Sequence, residues 1–208
     1  MIPLYDEEHK THPFPIITVL LIAINVYVFF TSTSQAVVDE FGLHAGSLLA
    51  GRGLTDLVTS MFLHGGFLHL LFNMWSLWIF GDNVEGDLGK IKYIILYFAS
   101  GIVGSYLFAV FADPSSIAIG ASGAIAGVMG AYLILHPKNR INTLIPLGFF
   151  LTTARIPATI FIGLWFLLQF FGFYGGNSAV AYSAHIGGFV AGLILAVLLR
   201  ERKAYSSI

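Results

Sequence analysis

Three short stretches of the 208-residue chain hold side chains able to do chemistry together. GASGAIAG, residues 120–127, carries Ser122 among glycine and alanine. AHIGGFVAG, residues 184–192, carries His185. HGGFLHLLFNM, residues 64–74, carries His64, His69 and Asn73. A serine beside an imidazole is the pairing that activates a hydroxyl as nucleophile, the histidine taking its proton. Acyl transfer also needs donors aimed at the developing oxyanion. His69 and Asn73 can supply them, as can backbone N–H groups at a helix start near Ser122. His69, Asn73 and Ser76 are spaced i, i+4, i+7, so they share one helical face. On spacing alone each residue also has a plain alternative. Ser122 can be a small packing residue at a helix crossing, and His185 a core histidine bonded to a backbone carbonyl. His69 and Asn73 can be polar glue between helices.

These residues need elements to position them, and composition says which kind. The chain is 57% hydrophobic and 10% charged, with 19 phenylalanines and 23 glycines. Its mean hydropathy is +0.83. A soluble domain carries about a quarter charged residues, so the chain is expected to be an integral membrane protein forming one domain. The net charge of −1 gives no reason to expect nucleic acid as a partner. With no cysteine, disulfides, thiol catalysis and cysteine-ligated metals are excluded.

Six apolar segments follow, each measured against the ~20 residues that cross a bilayer core. They run from Ile16 to Ser34, Gly66 to Phe80, Ile91 to Phe111, Ser122 to Leu135, Pro157 to Phe173 and Ser183 to Leu199. Pro15 precedes the first at a favoured helix start. STSQA at its end has a faint likeness to a signal-peptidase site, but the apolar stretch is long for a signal peptide. With the N-terminus inside, nine basic residues fall on inner segments: Lys10, Lys90, Lys92, Lys138, Arg140, Arg155, Arg200, Arg202 and Lys203. Only Arg52 falls outside. The positive-inside rule then places both termini in the cytoplasm, with the plasma membrane the expected location.

The fourth segment has 14 residues, about 21 Å of helix. DPSSIAIGA, residues 113–121, must therefore dip inward to meet it. The second segment is also short, so a wet depression opening outward is expected above both. Residues 41–65 are read as short interfacial helices and turns.

Intramembrane polar groups are costly and are functional candidates by default. Here they are Asn25, His69, Asn73, Ser76, Ser100, Ser105, Ser122, Gln169, Ser183 and His185, with no carboxylate inside a span. The expected constellation is thus a Ser–His dyad without a third acid. Small residues form strips at Gly123, Ala126, Gly127 and Gly130, and at Gly188, Gly192 and Ala196. Packing through them would bring Ser122 and His185 together. Trp75 and Trp78 are expected to face lipid, and His9, His12, His44 and His136 to lie at the surface or interface without a role.

Together the three motifs, in order and on the right segments, resemble the rhomboid family of intramembrane serine proteases. The likeness covers nearly the whole chain, including GDNVEGDLG, residues 81–89, read as a turn after the second helix. It implies an all-α, polytopic, rhomboid-like membrane bundle of six transmembrane helices. It also implies Ser122 as nucleophile, His185 as general base, and His69 and Asn73 as oxyanion donors. His64 matches a further histidine of the family, with no role assigned. The implied partners are the bilayer and transmembrane protein substrates, cut near the outer face at small residues in locally unstable helices. No cofactor or metal is implied. Residues 41–65, 157–173 and the loop 172–183 match the elements discussed as substrate gates.

Two positions depart from the family pattern. Thr55 and Asp56 stand where many relatives have a Trp-Arg pair, which puts loop anchoring in question. Ala126 replaces an aromatic that some relatives place near the dyad, which does the same for a stacking contact on His185. Two other functions compete: a protease-silent relative that binds membrane helices, and a small transporter or metal carrier using His64, His69 and His185. The carrier lacks supporting carboxylates and the internal repeat usual in transporters. The substrate, cleavage site and oligomeric state are not legible.

Overall fold

Apolar runs free of interior proline become helices, and the shortest of the long ones here is the most enclosed. The computed structural model describes residues 1–7, 13–32, 34–148, 150–175 and 180–200. His9, Lys10, His12, Arg202, Lys203 and part of the 172–183 loop lie outside the described residues. In chain order the elements are β1 Ile2–Asp6, α1 Ile16–Thr31, α2 Gln35–Phe41, β2 Leu43–His44, α3 Ala45–Leu49 and α4 Asp56–Thr59. A 3-10 turn, Ser60–Phe62, leads to α5 Phe67–Leu88 and α6 Lys90–Phe111. Then come β3 Ile117–Ala118, α7 Ser122–Leu135, β4 Arg140–Leu147, β5 Phe150–Pro157, α8 Ala158–Tyr174 and α9 Tyr182–Leu199.

Every residue of α7 from Ala124 to Tyr132 is buried, as befits a helix apolar all round and ringed by others. It packs on α5, α6 and α9. The small-residue strips meet as expected. A Cβ on Gly188 would collide with the Gly123 carbonyl, and one on Gly192 with the Gly127 carbonyl. On its other side Gly127 abuts Ser100 of α6. Where packing rather than hydrophobicity joins helices, such backbone contact is the main source of attraction.

The outside of the bundle is also apolar. Leu20, Ile24 and Phe30 on α1, Leu167 and Phe171 on α8, and Ile194 and Leu198 on α9 are all exposed, a surface suited to lipid. By length and composition α6 and α9 can each cross a membrane. Asp56–Phe62 with Phe67–Leu88, bent by 99°, makes one further candidate, and α1, α7 and α8 are shorter apolar helices.

Four of the six expected segments coincide with α6, α7, α8 and α9 to within one residue. Two differ. The first ends at Thr31, and Pro15 caps it rather than beginning it. The second does not stop at Phe80 and is not short. α5 has 22 residues and absorbs GDNVEGDL, so no turn lies there. The reason is a buried carboxylate. Glu85 accepts the N–H groups of Ile17 and Thr18 at 2.9 and 2.8 Å, and the Thr18 hydroxyl at 2.9 Å. It thereby satisfies donors that α1 leaves open at its start, where Pro15 offers no side-chain cap. Polar composition here marks docking between helices, and a carboxylate does lie within the α5 helix.

The all-α expectation also needs correction: the structure is mostly helical but holds a three-stranded antiparallel sheet, ordered β1-β4-β5. Ile2 pairs with Leu144 and Asp6 with Ile141, while β4 and β5 form a hairpin from Arg140↔Pro157 to Leu147↔Phe150. Its base enters the core through Ile141 and Thr143, both fully buried. Asp6 locks β1 to the bundle by accepting from the Tyr132 hydroxyl at 2.6 Å and Asn83 Nδ2 at 3.0 Å. Trp75, expected to face lipid, is 41% exposed yet donates its indole N–H to the Pro3 carbonyl. His136 is not a free surface residue: it sits 3.2 Å from the Asp87 carboxylate and against the Tyr132 ring.

The anchoring that Thr55 and Asp56 put in question comes from backbone pairing. Leu43 and His44 pair with Ala118 and Ile117. The Ala45 N–H donates to Ser116 and that of Gly120 to Ser60. The non-helical approach to α7 is thus bonded to protein, the condition for irregular backbone within a membrane.

This packing sets the expected outcome of substitutions at three positions. Gly192→Val cannot relieve its clash by rotating a side chain, so it should cost about 3 kcal/mol or more in detergent melting. Gly163→Ala on α8, with nothing within 4 Å, should be neutral or gain up to about 1 kcal/mol. Glu85→Ala should lose on the order of 3 kcal/mol, because two buried N–H groups lose their acceptor, and Glu85→Gln should lose less.

Candidate active site

Ser122 is the first residue of α7, directly after a tight approach at Gly120. That glycine has φ +119°, a conformation side-chain-bearing residues rarely adopt, and a Cβ there would lie 2.7 Å from His69 Nε2 and 3.6 Å from Asn73 Nδ2. The glycine therefore does two things: it turns the chain into α7 and lets two α5 side chains close on the turn. His185 lies in the first turn of α9, one turn before Gly188. Because Gly188 meets Gly123, the residue after Ser122, the crossing sets the separation of hydroxyl and imidazole. Ser122 Oγ and His185 Nε2 are 2.8 Å apart.

The other ring nitrogen is also held. His185 Nδ1 lies 2.8 Å from Gln169 Oε1 of α8, and Gln169 Nε2 donates to the Trp165 carbonyl at 2.9 Å. Gln169 appeared in the sequence only as one of several polar residues in apolar helices. The available signal was its rarity: it is the sole amide side chain of its segment, whose only hydroxyl is Thr159 near the start. Its partner is not encoded locally. Trp165 also brings its ring to 6.0 Å from that of His185, tilted by 31°, so an α8 aromatic lies beside the imidazole where Ala126 offers none.

Just ahead of α5 the Gly65 N–H points to His69 Nδ1 at 3.4 Å, a long bond that makes Nδ1 the acceptor. The neutral His69 ring then carries its proton on Nε2, the nitrogen facing Gly120. Asn73 is buried, and its Nδ2 has no hydrogen-bond partner among the described residues. An unmet buried donor of this kind is costly. Ser76, on the same face, is only half-buried. His64 packs edge-on to His69 at 5.0 Å, and both its ring nitrogens are unpartnered among the described residues. Among those residues no three His, Cys, Asp or Glu side chains converge as a metal-ligand set, so the carrier reading finds no cluster at His64, His69 and His185.

All four candidate residues line one cavity of about 750 Å³, together with Phe72 and Ala181. The cavity is open on one side, largely apolar, and roomy enough for an extended peptide segment. Chemically, the arrangement offers a hydroxyl with a base at hydrogen-bond distance, and separate N–H donors across the turn.

Comparison with known proteins identifies the family. The Rhomboid domain family matches residues 51–202. The chain is 36% identical over 96% of its length to the rhomboid protease GluP of Bacillus subtilis (strain 168), of which it spans 39%. It is 30% identical to YdcA of the same organism, likewise named for rhomboid proteases, with 91% of each chain covered. It is also 33% identical over 82% of its length to RHOMBOID-like protein 6, mitochondrial, of Arabidopsis thaliana, spanning 52% of that protein. The chain belongs to the rhomboid family and is an integral membrane protein.

Gly120→Ala should push His69 away from the Ser122 turn. In histidine-labelled protein the His69 ring signals should shift, while those of His44, bonded to the Asp39 carbonyl, stay in place.

Proposed function

We propose that the chain is an intramembrane serine endopeptidase that cleaves transmembrane segments of other membrane proteins near the outer face. The observation that carries the reading is the 2.8 Å contact between Ser122 Oγ and His185 Nε2 at the wall of a cavity that also holds His69 and Asn73. Ser122 Oγ attacks the scissile carbonyl carbon as His185 Nε2 takes its proton. The carbonyl π bond opens to an oxyanion, which accepts from Asn73 Nδ2, His69 Nε2–H and backbone N–H groups at the start of α7. Collapse of this intermediate breaks the C–N bond, and His185 returns the proton to the leaving amine. A water then repeats the sequence on the acyl-enzyme and regenerates Ser122.

The proposal includes the topology. Six spans are formed by α1 and α5 to α9, with both chain ends cytoplasmic on the balance of nine basic residues against one. The cavity then opens outward, where water can reach it, in the cell membrane. Residues 41–65 and α8 border the route by which a substrate helix enters.

The test is reconstitution with a transmembrane substrate. Ser122→Ala and His185→Ala should each lower turnover by more than about 10³-fold, and Asn73→Ala by roughly 10²-fold. New termini are read by mass spectrometry. Cleavage by Ser122→Ala at the wild-type rate would overturn the assignment of the nucleophile.

A further inference from the structure

We propose that Gln169 is a positioning residue that fixes the tautomer and aim of His185, making the Ser–His pair a three-member relay with a neutral amide at its end. The inference rests on the protease reading above. Its chain of donors and acceptors admits one solution. The Trp165 carbonyl can only accept, so the Gln169 amide must present its NH₂ there, at 2.9 Å. Oε1 is then the atom that faces His185 Nδ1, at 2.8 Å. An amide oxygen can only accept, so Nδ1 must carry the proton. In the neutral imidazole Nε2 is consequently the acceptor, and the Ser122 hydroxyl must donate to it across 2.8 Å. That is the polarity a general base requires before attack.

The placement of Gln169 supports this assignment. Beyond Ile162 it is the only buried residue of α8, whose outer half otherwise exposes Leu164, Leu167, Leu168, Phe170 and Phe171. Trp165 and Gln169, spaced i, i+4, lie on the same face. The stacking of Phe166 on Phe189 of α9, with centroids 4.2 Å apart, sets that face against the start of α9. A glutamine in an apolar helix is costly unless both ends of its amide are satisfied. Here both are, one by its own helix and one by the imidazole.

The role differs from packing in what it predicts. Gln169→Leu keeps the volume but leaves Nδ1 without its acceptor, so the ring is free to adopt the wrong tautomer. It should lower kcat about 10- to 100-fold with KM nearly unchanged, less than the ~10⁴-fold seen where a charged orienting partner is lost. Gln169→Glu in its protonated form reproduces both bonds, so it should recover most of the lost kcat. A drop in KM terms alone, or an equal loss in both variants, would overturn the proposal. So would a Gln169→Leu protein with wild-type kcat. Nitrogen-15 spectra of wild-type protein, with the His185 signal assigned through His185→Ala, supply a readout independent of folding. They should show Nδ1 protonated and Nε2 bare, and the reverse pattern would refute the relay. Ser122→Ala run alongside separates the two ideas. If it cleaves normally the protease reading falls, whereas a dead Ser122→Ala with fully active Gln169→Leu sinks only the relay.

Discussion

Where Gly188 and Gly192 of α9 face the carbonyls of Gly123 and Gly127 of α7, no side chain intervenes and the two helices meet backbone to backbone. In a lipid-facing bundle this contact takes the place of a hydrophobic driving force, since side chains gain little by exchanging lipid for protein. It also leaves little freedom in the crossing, because a backbone carbonyl has no rotamers to adjust. Ser122 and His185 sit beside the first of these contacts, so the distance between hydroxyl and imidazole follows from where two glycines touch. The other faces of α7 are closed by α5 and α6, which brings His69 and Asn73 to the Gly120 turn.

Polar groups serve opposite purposes at the two ends of this bundle. Around β1 they form a closed network, with Asp6 taking Tyr132 and Asn83 while Asn139 donates to the Tyr132 hydroxyl at 3.2 Å. Glu85 does the same for the start of α1. Satisfied buried networks of this kind rigidify and fix a unique arrangement. Around Ser122 the pattern inverts, because Asn73 Nδ2 and both His64 nitrogens lack partners among the described residues. Buried polar atoms without partners also occur at Asn25, Tyr97 and Ser100 among the described residues, but Asn73 Nδ2 is the one that belongs to a residue lining the cavity.

Much of this arrangement could be read from the residue order. Helices α6 to α9 were legible because apolar runs bounded by Gly, Pro and charge leave little doubt about extent. The meeting of Ser122 and His185 was legible because tiny residues at i, i+4 spacing mark where helices touch. What escaped was decided by partners distant in the chain. GDNVEGDL looks like a turn until α1 arrives with two bare N–H groups for Glu85. The strands at 140–157 lie between the fourth and fifth apolar segments, and their sheet is completed by β1 at the far end of the chain. Gln169 was visible as a costly residue, but no local pattern names an imidazole sixteen positions away on another helix.

Helix α8 differs from its neighbours in how little of it is enclosed. Ala158, Phe161, Ile162 and Gln169 are its only buried residues, whereas α7 is enclosed along most of its length. The helix that carries the outer hydrogen bond to the imidazole is therefore more easily peeled off than the α7–α9 pair. Warming, or exchange into a harsher detergent, would loosen α8 while the welded pair stays intact. Inactivation and unfolding should then be separate events, with a silent but still helical species between them.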